Sequence, residues 1–216
     1  MITIIMPTKN NKKQLKAAVQ AILNNTEFPY ELFIIDGNST DGSGKYVDNL
    51  VDKYEHIRCA HIPPKGISHA FNYAMEHSKG DVYLTHDDVI VPNLYGRDWL
   101  QGLYEASKVK DMGLVTTIRA GGISGPDYLN GFKWTGSWSM YIPKKTMDKI
   151  GGLDPHMRCG DDIDYCYRIY KAGLNIGVVN YWVDHHRFGH HVEDSPKWSK
   201  LAKEMGNYFK EKHGLK

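Results

Sequence analysis

The feature that most constrains the fold is an alternation through the first 92 residues: a short apolar run, a stretch with helical spacing, then another apolar run. Residues 2–6 are apolar and are stopped by Pro7, which reads as a buried strand. Residues 13–23 carry Leu15, Ala18, Val19, Ile22 and Leu23 at helical spacing. A second strand, 31–35, breaks into "DGNSTDGSG", and an amphipathic helix is expected over 44–54. A strand over 57–61, a helix over 68–77 and a strand over 81–85 follow. Strands and helices alternating at this spacing predict a mostly parallel sheet flanked by helices, of the α/β class.

After Pro92 the rhythm changes. A helix is expected over 98–108 and a strand over 113–118. A glycine-rich segment, "RAGGISGPDYLNG", leads to the aromatic "FKWTGSWSMYIP". Residues 161–172 read as a helix closed by Gly173. From Pro196, Trp198, Leu201, Met205, Tyr208 and Phe209 form one apolar stripe with lysines opposite. Such a helix packs on the body or docks on a membrane or partner, and packing is the plainer reading.

The composition excludes several classes. With 216 residues and 41% hydrophobic content, the chain suits one domain with a real core. Lys and Arg total 27 against 25 Asp and Glu, a balance that does not point to a nucleic-acid binder. Cys59, Cys159 and Cys166 have no CxxC spacing, so a reduced, cytoplasmic setting is expected. No apolar stretch reaches the roughly 20 residues of a membrane span, and "MITIIMPTKN" does not read as a signal peptide. A soluble chain, or one touching a membrane only peripherally, is expected.

Ligands of parallel α/β sheets bind beyond the carboxyl ends of the strands. Two predicted strands end there in acid: one at Asp36, the other at Asp87-Asp88 in "YLTHDDVIVP". Either alone reads as a turn or a helix cap. Together, with glycine and small polar residues leaving backbone N–H groups open after Asp36, they favour a phosphorylated ligand held through a divalent cation. Mn²⁺ or Mg²⁺ needs only one or two carboxylates when phosphates supply the remaining oxygens.

These segments, in this order, resemble the family 2 glycosyltransferases of the GT-A fold, which use nucleotide-diphosphate sugars. The resemblance is carried by "TIIMPTKN", "ELFIIDGNSTDGS", "ISHAFNYAMEHSKGDVYLTHDDV" and "WTGSWSMYIPKKTMDKIGGLDPHMRCGDDIDYCYRIYKAG", and covers most of residues 1–186. It implies a Rossmann-like central sheet and a smaller acceptor-side lobe. The single domain, 1–216, would divide into a donor half (about 1–95), an acceptor and catalytic half (about 96–186) and a helical tail (about 187–216).

Carried over by position, Pro7, Thr8 and Lys9 would lie beside the nucleotide base, Asp36 near the nucleoside and Asp87 toward the ribose. Asp88 would bind the metal. "GDDIDYCYR" looks like the family's Gly-Glu-Asp-x-Asp pattern, with Asp161 where Glu is usual and Asp162 where the base is expected. "WTGSW" resembles the segment under the sugar, and so brings in Trp134 and Gly136. Trp134 and Trp138 read equally as core. A late His completes the metal site in related enzymes; of His185, His186, His190 and His191, the first two follow an apparent strand and are preferred. Arg168 is expected to pair with an acid across its helix. Three departures stand out: Gly37 replaces an acid, Lys9 replaces an aromatic, and His86 fills the first place of the acidic triplet.

The implied activity is an inverting, metal-dependent transfer from a nucleotide-diphosphate sugar, a uridine donor being favoured, to an acceptor hydroxyl. That hydroxyl would sit on a glycan, a lipid carrier, a protein or a modified nucleic-acid base. The alternatives are a nucleotidyltransferase, for which "PTKNNKK" is a poor phosphate loop, and a non-catalytic nucleotide- or sugar-binding module, which has no need of "CGDDIDYCYR".

Overall fold

A computed structural model describes residues 1–119, 127–129, 131–185 and 196–215; the side chains of 119 and 127–129 are not described. The predicted alternation forms with boundaries shifted by one or two residues. The order is β1 (Ile2–Thr8), α1 (Lys12–Asn25), β2 (Tyr30–Asp36), α2 (Ser43–Lys53), β3 (Ile57–His61), α3 (Ile67–Glu76) and β4 (Val82–Thr85). The chain continues through β5 (Val89–Ile90), α4 (Trp99–Ala106), β6 (Met112–Arg119), β7 (Asp127–Leu129), β8 (Phe132–Trp134) and β9 (Ser139–Ile142). It ends with α5 (Lys144–Ile150), α6 (Asp161–Lys171), β10 (Asn175–His185) and α7 (Pro196–His213).

One eight-stranded sheet has the order β3-β2-β1-β4-β9-β6-β10-β5, and β7 pairs with β8 separately. The pairs β1–β2, β1–β4, β2–β3 and β6–β10 are parallel. The aromatic segment supplies β9, which the sequence pattern did not reveal. It runs antiparallel between β4 and β6 and so joins the two halves of the sheet.

Strand alternation divides the core into two layers. Ile4, Met6, Leu32 and Ile34 face Leu15, Ile22, Val47 and Trp99 of α1, α2 and the start of α4. Ile5, Phe33 and Ile35 face the other way, toward Phe71 and Ala74 of α3, in a layer shared with Tyr165 and Ile169 of α6. The tail helix packs on this second layer: Phe209 is buried, and Met205 and Tyr208 lie against the cluster. No helix among the described residues is long and apolar enough to cross a membrane.

Candidate active site

At the carboxyl ends of β1, β2 and β4 lies a cavity of about 490 Å³. Its wall includes Pro7, Thr8, Lys9, Asp87, Asp88 and His185. The segment 62–67, Ile-Pro-Pro-Lys-Gly-Ile, forms another side, which the sequence reading had not singled out. Gly66, at φ 105°, lets the chain turn into α3 there. That turn sets the N-terminus of α3 and Lys65 on the wall, two sources of positive potential.

The loops after β1 and β2 are knitted together. Thr40 N–H donates to Asn10 Oδ1 at 2.7 Å, Asn10 N–H to Ser39 Oγ at 2.9 Å, and Lys12 N–H to Asp41 Oδ2 at 2.9 Å. Ser39 N–H reaches the Asp36 carboxylate at 3.2 Å. Of the N–H groups expected to be open for a ligand, those of Ser39 and Thr40 hold the loop instead.

Asp36 itself turns from the cavity. By alternation it shares a face with Leu32 and Ile34, whereas Ile35 and Gly37 line the cavity. Its side chain is buried against His61, whose Nδ1 lies 2.9 Å from Asp36 Oδ2. Asp36 thus holds the loop through Ser39 and pairs with His61, on the side of the strand away from the cavity lining.

The adjacent acids after β4 have different partners. Asp87 accepts from Thr8 Oγ1 at 2.6 Å and from Asn11 Nδ2 at 2.9 Å. Burial pushes its carboxyl up to about 6, with the charge of Asp88 adding to the rise. Asp88 faces His185, with Oδ1 and Nε2 3.3 Å apart. Burial works against its charge too, but the imidazoles of His185 and His86 hold it below the usual carboxylate range.

His185 reaches this point because the antiparallel β5–β10 pair sets it opposite Val89. Its ring stacks on Trp138 at a centroid distance of 6.0 Å. His86, which the sequence showed only as a departure from an acidic triplet, stacks on Phe71 and makes the third member of a cluster. One ligand atom from each of His86, Asp88 and His185 lies within 4.8 Å of the others. Asp88 Oδ1 and His185 Nδ1 are buried without a hydrogen-bond partner among the described residues. One carboxylate and two imidazoles fit a divalent cation, and this set suits Mn²⁺ better than Mg²⁺. His186 lies outside the described residues.

The second acidic pair opens α6. Asp161 is buried and accepts from Ser68 Oγ of α3 at 3.0 Å. Asp162 is partly exposed and accepts the backbone N–H of Ser137. Lost hydration and the charge of Asp161 raise Asp162 to about 7. Asp161 is raised as well, chiefly by burial. Ser137, overlooked in the sequence, also places its Oγ 3.1 Å from His86 Nε2, so one residue touches both acidic sites. Its neighbour Gly136 is packed under Trp138: a Cβ there would sit 2.3 Å from the indole Nε1. Neither Gly136 nor the half-buried Trp134, which packs against the core, lines the cavity.

Asp164 anchors α6. Arg168 Nε binds it at 2.8 Å, Lys212 Nζ at 2.7 Å and His213 Nε2 at 2.8 Å. Burial opposes this charge, and the hydrogen bonds from Lys212 and His213 with the Arg168 guanidinium hold its carboxyl below the usual range. Arg168 thus makes the expected helix pair, and the tail contributes two partners invisible in local sequence.

The fold and the acid-lined cleft define a GT-A protein. The model "Glycosyl transferase family 2" matches residues 3–163, and the chain belongs to that family. A mannosyltransferase from Pyrobaculum calidifontis, solved with GDP-Man and Mn²⁺, superposes with a TM-score of 0.74 at 19% identity, covering 88% of this chain and 59% of that one. S. aureus TarS 1–349 with UDP-GlcNAc gives 0.69 at 15% identity, covering 95% and 65%. By sequence, Probable glycosyltransferase YdaM of Bacillus subtilis is 24% identical over 202 residues, 81% of this chain and 48% of the relative. Glycosyltransferase GlyG of Streptococcus pneumoniae is 29% identical over 119 residues, 53% of this chain and 38% of the relative. The chain therefore spans less than half the length of these two relatives.

Proposed function

We propose that the chain is an inverting, metal-dependent glycosyltransferase moving a sugar from a uridine-diphosphate donor to an acceptor hydroxyl. The observation that carries this reading is Ser137, whose backbone holds Asp162 and whose hydroxyl meets His86. A proton acceptor and a cation-binding cluster so joined are what displacement of a diphosphate requires. The nucleotide lies along Pro7, Thr8 and Lys9, with Asp87 toward the ribose. Asp88, His185 and His86 hold Mn²⁺ or Mg²⁺, which when bound neutralises the charge developing on the diphosphate. Lys65 and the N-terminus of α3 add to that positive field.

Asp162 takes the proton of the acceptor hydroxyl as its oxygen attacks the anomeric carbon on the face opposite the leaving diphosphate. A proton affinity near neutrality suits that task. Asp161, fixed by Ser68, acts through its charge on Asp162. Trp134 and Gly136 belong to the segment assigned to run under the donor sugar.

A panel of nucleotide sugars tests the reading by diphosphate release with and without Mn²⁺ and by the anomeric configuration of the product. Metal-dependent release with inversion is expected. Retention would overturn the single displacement, nucleotidyl transfer would favour the first alternative, and tight binding without turnover would favour a binding module.

A further inference from the structure

On the other face of the sheet, at its β3 edge, three side chains of different chemistry converge. Cys59 and His61 are two apart on β3 and project from one face. Helix α2 packs on that face and brings Asp48. His61 Nε2 lies 2.9 Å from Asp48 Oδ1 and 3.8 Å from Cys59 Sγ. One ligand atom from each residue falls within 4.8 Å of the others.

We propose that Asp48, Cys59 and His61 form a second metal site, for a borderline-soft divalent ion of the zinc class, with water in the fourth position. The spacing is near what it needs: tetrahedral ligands bonded at about 2.0–2.3 Å stand roughly 3.3–3.8 Å apart, so Asp48 has only to withdraw from its 2.9 Å hydrogen bond by a few tenths of an ångström. A thiolate beside an imidazole selects such an ion over the hard cations suited to diphosphate. The orientation suits it too. Buried Asp36 fixes His61 through Nδ1 at 2.9 Å and turns Nε2 outward, as carboxylates behind metal-bound imidazoles do. The metal-free arrangement already gathers these groups: His61 bonds Asp36 through Nδ1 and Asp48 through Nε2. Metal binding would replace the Nε2–Asp48 bond and release the thiol proton of Cys59. His61 and Asp48 are both exposed, so the ion has a way in. Its occupancy would tie α2 to β3 and, through Asp36, brace the loop held by Ser39.

Co²⁺ titrated into the chelator-treated protein should produce a thiolate-to-cobalt charge-transfer band in the near ultraviolet, displaced by Zn²⁺. Cys59→Ser should abolish the band, Asp48→Asn should weaken binding at least tenfold, and Asp88→Asn should leave the band intact. Independently, Zn²⁺ should shield Cys59 from alkylation while Cys159 continues to react, read by peptide mass spectrometry. Absence of the band, its survival in Cys59→Ser, its loss in Asp88→Asn, or alkylation of Cys59 indifferent to Zn²⁺ would each overturn the site.

Discussion

Asp87-Asp88 and Asp161-Asp162 are the same dipeptide set at the end of a strand and the start of a helix, and the fold surrounds them differently. In the first, two imidazoles face Asp88, which stays ionised while Asp87 is raised to about 6. In the second, the nearest partners are a serine hydroxyl and backbone N–H groups, and both acids are raised. The helix N-terminus favours the ionised form, yet burial and mutual repulsion outweigh it. Which acid of such a pair stays ionised thus depends on what the fold sets beside it: imidazoles beside Asp88, a second buried carboxylate beside Asp162. Local sequence does not carry that information.

The largest effect expected from breaking this contrast comes from Asp162→Asn. It keeps the shape and removes the proton acceptor, so transfer should fall by about 10²–10⁴-fold. Donor affinity should stay within a few-fold. Single-turnover kinetics beside calorimetry of donor binding separate the two; transfer near the wild-type rate would remove Asp162 from the mechanism. Asp88→Asn should show the converse pattern, with metal-dependent nucleotide-diphosphate affinity falling by roughly tenfold or more, about 1.4 kcal/mol. Unchanged, metal-dependent binding would show that the cation sits elsewhere.

The second pair also makes a prediction about stability. An unfolded Asp titrates near 3.9, while folded Asp162 holds its proton to about 7. Between about pH 4 and 7 the native state keeps a proton that the unfolded chain has lost, so stability should fall as pH rises through that window and level off above it. Asp162→Asn should flatten the slope and raise the midpoint of thermal unfolding at pH 8 relative to wild type. A slope unaltered by the substitution would mean that burial does not load this carboxyl. Activity should rise over the upper part of the same window as the base is freed.

Legibility in the sequence followed the range of the determinants. Strands β1–β4 were readable as short apolar runs set between helices α1–α3, which each bury one face at helical spacing, and Gly173, at φ 72°, closes α6 where expected. Strand β9 was not: "SMYI", buried on both faces, shows no alternation and lies inside the aromatic run "FKWTGSWSMYIP", outside the strand–helix rhythm that framed β1–β4. At Asp36 the sequence showed the strand end but not the partner: His61 comes from the neighbouring strand β3. His86 was visible only as an anomaly, since its meaning depends on His185, delivered by the distant β5–β10 pairing. The Lys212 and His213 contacts with Asp164 depend on how α7 docks, for which local spacing holds no signal.

The smallest expected effect is also the most discriminating, because it acts on the residue the two pairs share. Ser137→Ala removes the Oγ that meets His86 at 3.1 Å but leaves the backbone N–H that serves Asp162. Deleting one hydrogen bond of this kind costs about 0.5–1.5 kcal/mol, which corresponds to a few-fold weaker metal dependence of donor binding. The pH at which transfer reaches half its maximum should not move, since the surroundings of Asp162 are untouched. Ser137→Gly removes the same hydroxyl and should reproduce the binding loss. A shift of the pH profile in Ser137→Ala, with metal response unchanged, would show that the serine communicates with the base alone and that the two acidic sites are not joined through it.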